Sequence, residues 1–89
     1  MTDTEETLLE FPCAFPIKAM GPAGPEFESL VITLVRRHAP DLDVETIKVR
    51  ASRGGKWSSV TVTVTATGKQ QLDAIYRELT GHEMVKWVL

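Results

Sequence analysis

Residues 57–66, WSSVTVTVTA, alternate valine or alanine with threonine or serine, and no other stretch of the chain restricts its fold so tightly. A period of two places Val60, Val62, Val64 and Ala66 on one side of an extended strand, with Ser59, Thr61, Thr63 and Thr65 on the other. A second alternating segment, 45–53, sets Ile47, Val49 and Ala51 against Lys48 and Arg50, and Gly54-Gly55 separates the two. If the glycines form a two-residue turn, Ile47 faces Val62, Lys48 faces Thr61, Val49 faces Val60 and Arg50 faces Ser59. Apolar meets apolar and polar meets polar, and a slip of one residue destroys the match. Arg53, Gly54, Gly55 and Lys56 therefore read as a hairpin tip. A phosphate cradle would need a helix, not a strand, after the glycines. The like-charged pair Arg53 and Lys56 is either solvated there or a weak anion contact.

Four further elements follow from pattern. Residues 13–20, CAFPIKAM, alternate as a half-buried strand whose middle Pro16 weakens. The breakers GPAG then lead to Pro25, suited to the first position of a helix that carries Phe27, Leu30, Val31, Leu34 and Val35 on one stripe. Glu26 and Glu28 favour its start, Arg36 and Arg37 its last turns, and Pro40 ends it. A second helix has the stripe Leu72, Ile75, Tyr76, Leu79, with Thr67 and Gln70 at capping-box spacing and Gly81 as its stop. The last segment, EMVKWVL, reads as a short strand with Val85, Trp87 and Leu89 on its heavier side. The order β-α-β-β-α-β predicts an α+β, ferredoxin-like sandwich: a four-stranded antiparallel sheet with both helices on one face. The second and last strands should lie outermost.

Eighty-nine residues, 43% of them hydrophobic, suffice for one small core. The first 12 residues contain Asp3, Glu5, Glu6 and Glu10 and no basic residue, which predicts a flexible acidic leader ahead of one domain over residues 13–89. Of the ten basic and 12 acidic residues, ten and eight remain in the body, a net of +2. That is too mild to announce nucleic-acid binding. No signal peptide or apolar spanning run is present, which predicts a cytoplasmic protein without a membrane partner. Cys13 is the only cysteine, so an internal disulfide and a paired-cysteine metal site are both excluded.

The parity that buries the valines puts Lys18, Lys48, Arg50 and Lys86 on the uncovered face. Ser59, Thr61, Thr63 and Thr65 lie between them, with Trp57 and Met20 near the ends. This is either a solvated sheet surface or a contact face for an anionic ligand, a partner protein or a second copy of the chain. RNA binding through Lys48, Arg50 and Trp57 is disfavoured, because sheet-face RNA binders stack bases on aromatics of the central strands. Chemistry is harder to assemble. The chain has no asparagine, no arginine follows the first strand, and His38 and His82 sit apart, each near a helix C-terminus. Asp41 and Asp43 alone are weak cation ligands. The residues predict a non-enzyme without metal or cofactor.

LLEFPCAFPIKAMG, the helix ending RRHAP and the closing VKWVL resemble the YbeD-like family of small bacterial proteins, which has no established biochemical function. The resemblance runs from Leu8 to Leu89, and the sequence departs from it in a short polar leader and in Trp57 and Trp87. It implies a fold similar to ACT regulatory domains, which bind small effectors across subunit contacts near a glycine at the start of the first helix. On that resemblance Gly21, Gly24, Pro25 and Glu26 form a candidate ligand loop for a small anionic effector; a tight turn is the alternative. Relatives are often encoded beside lipoate-attachment enzymes, which implies a regulatory link. The expectation is a regulatory or interaction module, a homodimer through a sheet edge or the open face. An effector sensor and a weak RNA binder are the alternatives.

Overall fold

The computed structural model describes residues 10–89. Most of the expected leader thus lies outside the described residues. The elements are β1 (Cys13–Pro22), α1 (Pro25–Arg36), a 3-10 turn (Val44–Thr46), β2 (Lys48–Ala51), β3 (Trp57–Ala66), α2 (Lys69–Thr80) and β4 (Trp87–Val88). The strands form one antiparallel sheet in the order β2-β3-β1-β4. This is the α+β, ferredoxin-like arrangement that the element order predicts.

The hairpin register is the expected one, with Lys48 opposite Thr61, Val49 opposite Val60 and Arg50 opposite Ser59. Its tip is wider than two residues. Ser52 and Trp57 close the ladder through an amide-to-carbonyl bond of 2.7 Å, and the Ser52 carbonyl also accepts from the amides of Gly54 and Gly55. Arg53, Gly54, Gly55 and Lys56 thus form a four-residue loop, and Gly55 takes φ +73°, where a side chain would be strained. Arg53 and Lys56 are loop residues and not a ladder pair. β2 is also shorter than the alternation suggests. Residues 44–46 turn as a 3-10 helix because the Asp43 carboxylate accepts the Glu45 amide at 3.0 Å.

Ile17, Ala19, Val60, Val62, Val64 and Ala66 meet Phe27, Val31, Leu34 and Val35 of α1 and Leu72, Ile75 and Leu79 of α2 in one core. Two helices of 12 residues span the central strands β1 and β3 but leave β2 uncovered. Val49, expected inside, is therefore 45% exposed, and Ala51 is exposed too. The backbone alternation that turns the Ser52 amide toward β3 turns those of Val49 and Ala51 to the free side.

β1 runs two residues further than expected, to Pro22, and Pro16 lies inside it opposite Thr63. Lys18 exchanges both backbone bonds with Leu89, at 3.1 and 2.8 Å, and there the ladder to β4 stops. Pro16, two residues earlier, turns its nitrogen to the same side one step beyond that ladder. Its missing N–H costs no sheet bond.

Pro25 begins α1 as expected. At α2 the cap differs from the capping box read from spacing. Gly68 is the N-cap, and Gln71, not Gln70, reaches back to accept the Thr67 amide at 2.7 Å. The Gln71 amide nitrogen donates to the His38 carbonyl at 2.8 Å, which ties the end of α1 to the start of α2.

Candidate functional site

Antiparallel pairing sets the open face out in rows. Arg50, Ser59, Met20 and Trp87 lie side by side across the four strands; the next row is Lys48, Thr61, Lys18 and Leu89, and the one after it Thr63 and Pro16. At the other end of β3, Trp57 lies opposite Pro22. The sheet thus brings together seven of the residues assigned to this face by parity: Lys18, Lys48, Arg50, Trp57, Ser59, Thr61 and Thr63. Ser59, hemmed between Arg50 and Met20, is nearly buried.

β4 departs from the expected parity. The Lys86 amide donates to the Met20 carbonyl at 2.7 Å although Trp87 is the residue registered opposite Met20. Two residues of β4 therefore answer one of β1, a bulge-like step that shifts the alternation. Val88 turns inward opposite Ala19, while Trp87 and Leu89, expected inside, lie outside at 58% and 65% exposure. The signal was present in the spacing: Val85 and Val88 are three apart, which no unbroken strand can bury on one side.

This shift gives the face a second tryptophan. Met20, Ser52, Trp57, Lys86 and Trp87 line a cleft of about 330 Å³. It adjoins a shallower one of about 210 Å³, where Lys18 and Arg50 face Met20, Trp57 and Ser59. The combined surface carries three cations, two indoles and no carboxylate. At the opposite corner, beside Thr63 and Thr65, a hollow of about 560 Å³ is lined by Asp41, Asp43 and Glu45 together with Lys48.

The loop of Gly21, Gly24, Pro25 and Glu26 is built differently. Gly21 belongs to β1 and is buried; a Cβ on it would fall 2.4 Å from a Phe27 ring carbon and 2.6 Å from the Met84 carbonyl oxygen. Its bareness admits the Phe27 ring. Gly24 has φ +132° with open space around it, and Pro25 and Glu26 are exposed in the first turn of α1.

Among the described residues the ion pairs converge on Glu78 of α2, which binds Arg37 at 3.0 Å and His38 at 2.7 Å. The His38 hydrogen bond, aided by the Arg37 charge, holds the Glu78 carboxyl below its ordinary value against a smaller opposing effect of burial. Partial burial raises the Tyr76 hydroxyl. His82 accepts the Met84 amide on Nδ1 at 3.1 Å and so shapes the turn before β4. No group of three or more His, Cys, Asp or Glu among the described residues is placed to hold a metal ion. No helix among them is long and apolar enough to cross a membrane.

A family model described as "Protein of unknown function (DUF493)" matches residues 6–89 of this sequence. The chain belongs to the DUF493 family. Its relatives include a UPF0250 protein of Chromobacterium violaceum, 53% identical over 89 residues and the full length of both chains. A UPF0250 protein of Paraburkholderia phytofirmans is 51% identical, again over both full lengths. One of Neisseria gonorrhoeae is 52% identical over 83 residues, 93% of this chain and 91% of its own. The YbeD-like resemblance read from LLEFPCAFPIKAMG, RRHAP and VKWVL is thereby established, and with it a DUF493 chain of unknown function.

Proposed function

We propose that this DUF493 protein is a non-enzymatic binding module whose working surface is the aromatic and cationic end of the open sheet face. One observation carries the reading: Trp57 and Trp87, 40% and 58% exposed, flank Met20 among Lys18, Arg50 and Lys86. Exposed tryptophans are costly to leave in water, and tryptophan, methionine and arginine are the side chains enriched where proteins meet. The flanking cations favour an acidic partner surface. The test is an affinity capture from native extract, comparing the wild-type chain with the Trp57→Ala/Trp87→Ala variant. Loss of the captured set by the variant, with its circular dichroism unchanged, is the expected result. An unchanged set would overturn the reading.

A further inference from the structure

The open face carries an excess of charge of opposite sign in two patches. Lys18, Arg50 and Lys86 accompany the tryptophans where β1 ends and β3 begins, while Asp41, Asp43 and Glu45 stand beside Thr63 and Thr65 at the far end. The acidic corner lies on the β2 side, because the 3-10 turn leads into that strand; Trp87 lies on β4, the opposite outer strand. The cationic patch reaches across the sheet from Arg50 on β2 to Trp87 on β4, so the two patches lie toward opposite ends of the strands. Lys48 also lines the acidic hollow, which leaves three carboxylates against one ammonium, and the ion pairs of the described residues involve Glu78 with Arg37 and His38, away from this face.

A surface with complementary patches at opposite ends is complementary to itself. A two-fold axis lying parallel to the sheet, perpendicular to the line joining the two patches, brings the acidic patch of each copy onto the aromatic and cationic patch of the other. We infer that the partner covering this face is a second copy of the chain, packed sheet to sheet. The inference rests on the binding reading above and names its occupant.

Size sets the strength of the contact. The strands hold 10, 4, 10 and 2 residues, and 26 residues at about 3.3 Å each on strands about 4.8 Å apart give a footprint on the order of 400 Å² per copy. The total of roughly 800 Å² falls below the range of standard stable interfaces, which makes this a weak, transient contact. The dimer should therefore dissociate on dilution, and more readily at high salt because its specificity is ionic.

The geometry allows a test by exchange of charge. Asp41→Lys/Glu45→Lys gives a face with two cationic corners, and Lys18→Glu/Arg50→Glu gives one with two acidic corners. All four positions are exposed, so both variants should keep the wild-type circular dichroism. Sedimentation of the wild-type chain at low salt should show a monomer–dimer equilibrium that stops at two copies. Each variant alone should be weakened at least tenfold, and an equimolar mixture should restore dimers, because both contacts of the mixed pair are then complementary. Trp57 and Trp87 are the only tryptophans, so their fluorescence should shift to the blue on mixing. A wild-type monomer at every concentration, or no association on mixing, would overturn the inference. In either case a captured set that still depends on Trp57 and Trp87 leaves the binding reading standing with a different partner. Growth beyond two copies on mixing would refute the two-fold arrangement.

Discussion

Gly21→Ala puts a number on how closely α1 is seated on the sheet. The added carbon would meet Cε1 and Cζ of Phe27 at 2.4 and 2.6 Å and the Met84 carbonyl oxygen at 2.6 Å. These are about 1 Å inside ordinary van der Waals contact. Phe27 is 1% exposed in the middle of the core, and the Met84 oxygen is backbone, so neither neighbour can swing away. Overpacking of this kind costs about 1–3 kcal/mol, and the upper half of that range applies where the obstacle is rigid. For a domain of this size, 2–3 kcal/mol lowers Tm by roughly 10–20 °C. Thermal melts followed by circular dichroism, with urea midpoints at constant m, give the measurement. Gly24→Ala is the control: the space there is open and only the backbone angle is strained, so its cost should be nearer 1 kcal/mol. In the Gly21→Ala/Phe27→Leu double variant two of the three overlaps disappear. The pair should therefore be less destabilised than the two single changes summed. A Tm for Gly21→Ala within about 2 °C of the parent would refute the packing argument and return Gly21 to the ligand-loop reading.

Burial decides the effect of the same substitution at two neighbouring sheet positions. Val62→Thr places a hydroxyl in the core without an obvious partner and should cost about 1–3 kcal/mol, whereas Val49→Thr on the uncovered edge should change stability by less than about 0.5 kcal/mol; urea titration separates the two. Glu78→Gln tests the clamp between α1 and α2. Because the Glu78 carboxyl is held below its ordinary value of 4.5, its contribution is present above that pH and fades as the pH falls through the lowered value. The Tm difference between parent and variant should thus be largest near neutral pH and shrink in acid; a difference that grows in acid would contradict the assignment.

The sheet was legible because its two central strands repeat one rule for many residues. The alternation from Val60 to Ala66 fixes both faces and, through the hairpin, the register of β2. Where an element is short the same rule loses its hold. β4 has two residues, and one bulged step at Lys86 is enough to send Trp87 outward and Val88 in. Val49 fits the inward parity and is still exposed, because parity states which side a residue takes and not how far the helices reach. Gln71 and Glu78 are bound to residues 33 and 40 positions away, a proximity that only the packed helices create. The aromatic cleft was therefore half visible, with Trp57 and Met20 in view and Trp87 hidden by the step in β4.

Pro16 has a consequence for how such a molecule behaves when crowded. A strand seeking to extend the sheet past β1 would find no donor at Pro16, and one approaching β2 would meet Lys48 and Arg50 beside a rim only four residues long. Both ends of the array are thus poor templates for cross-β growth. Concentrated solutions should therefore stay free of fibrils.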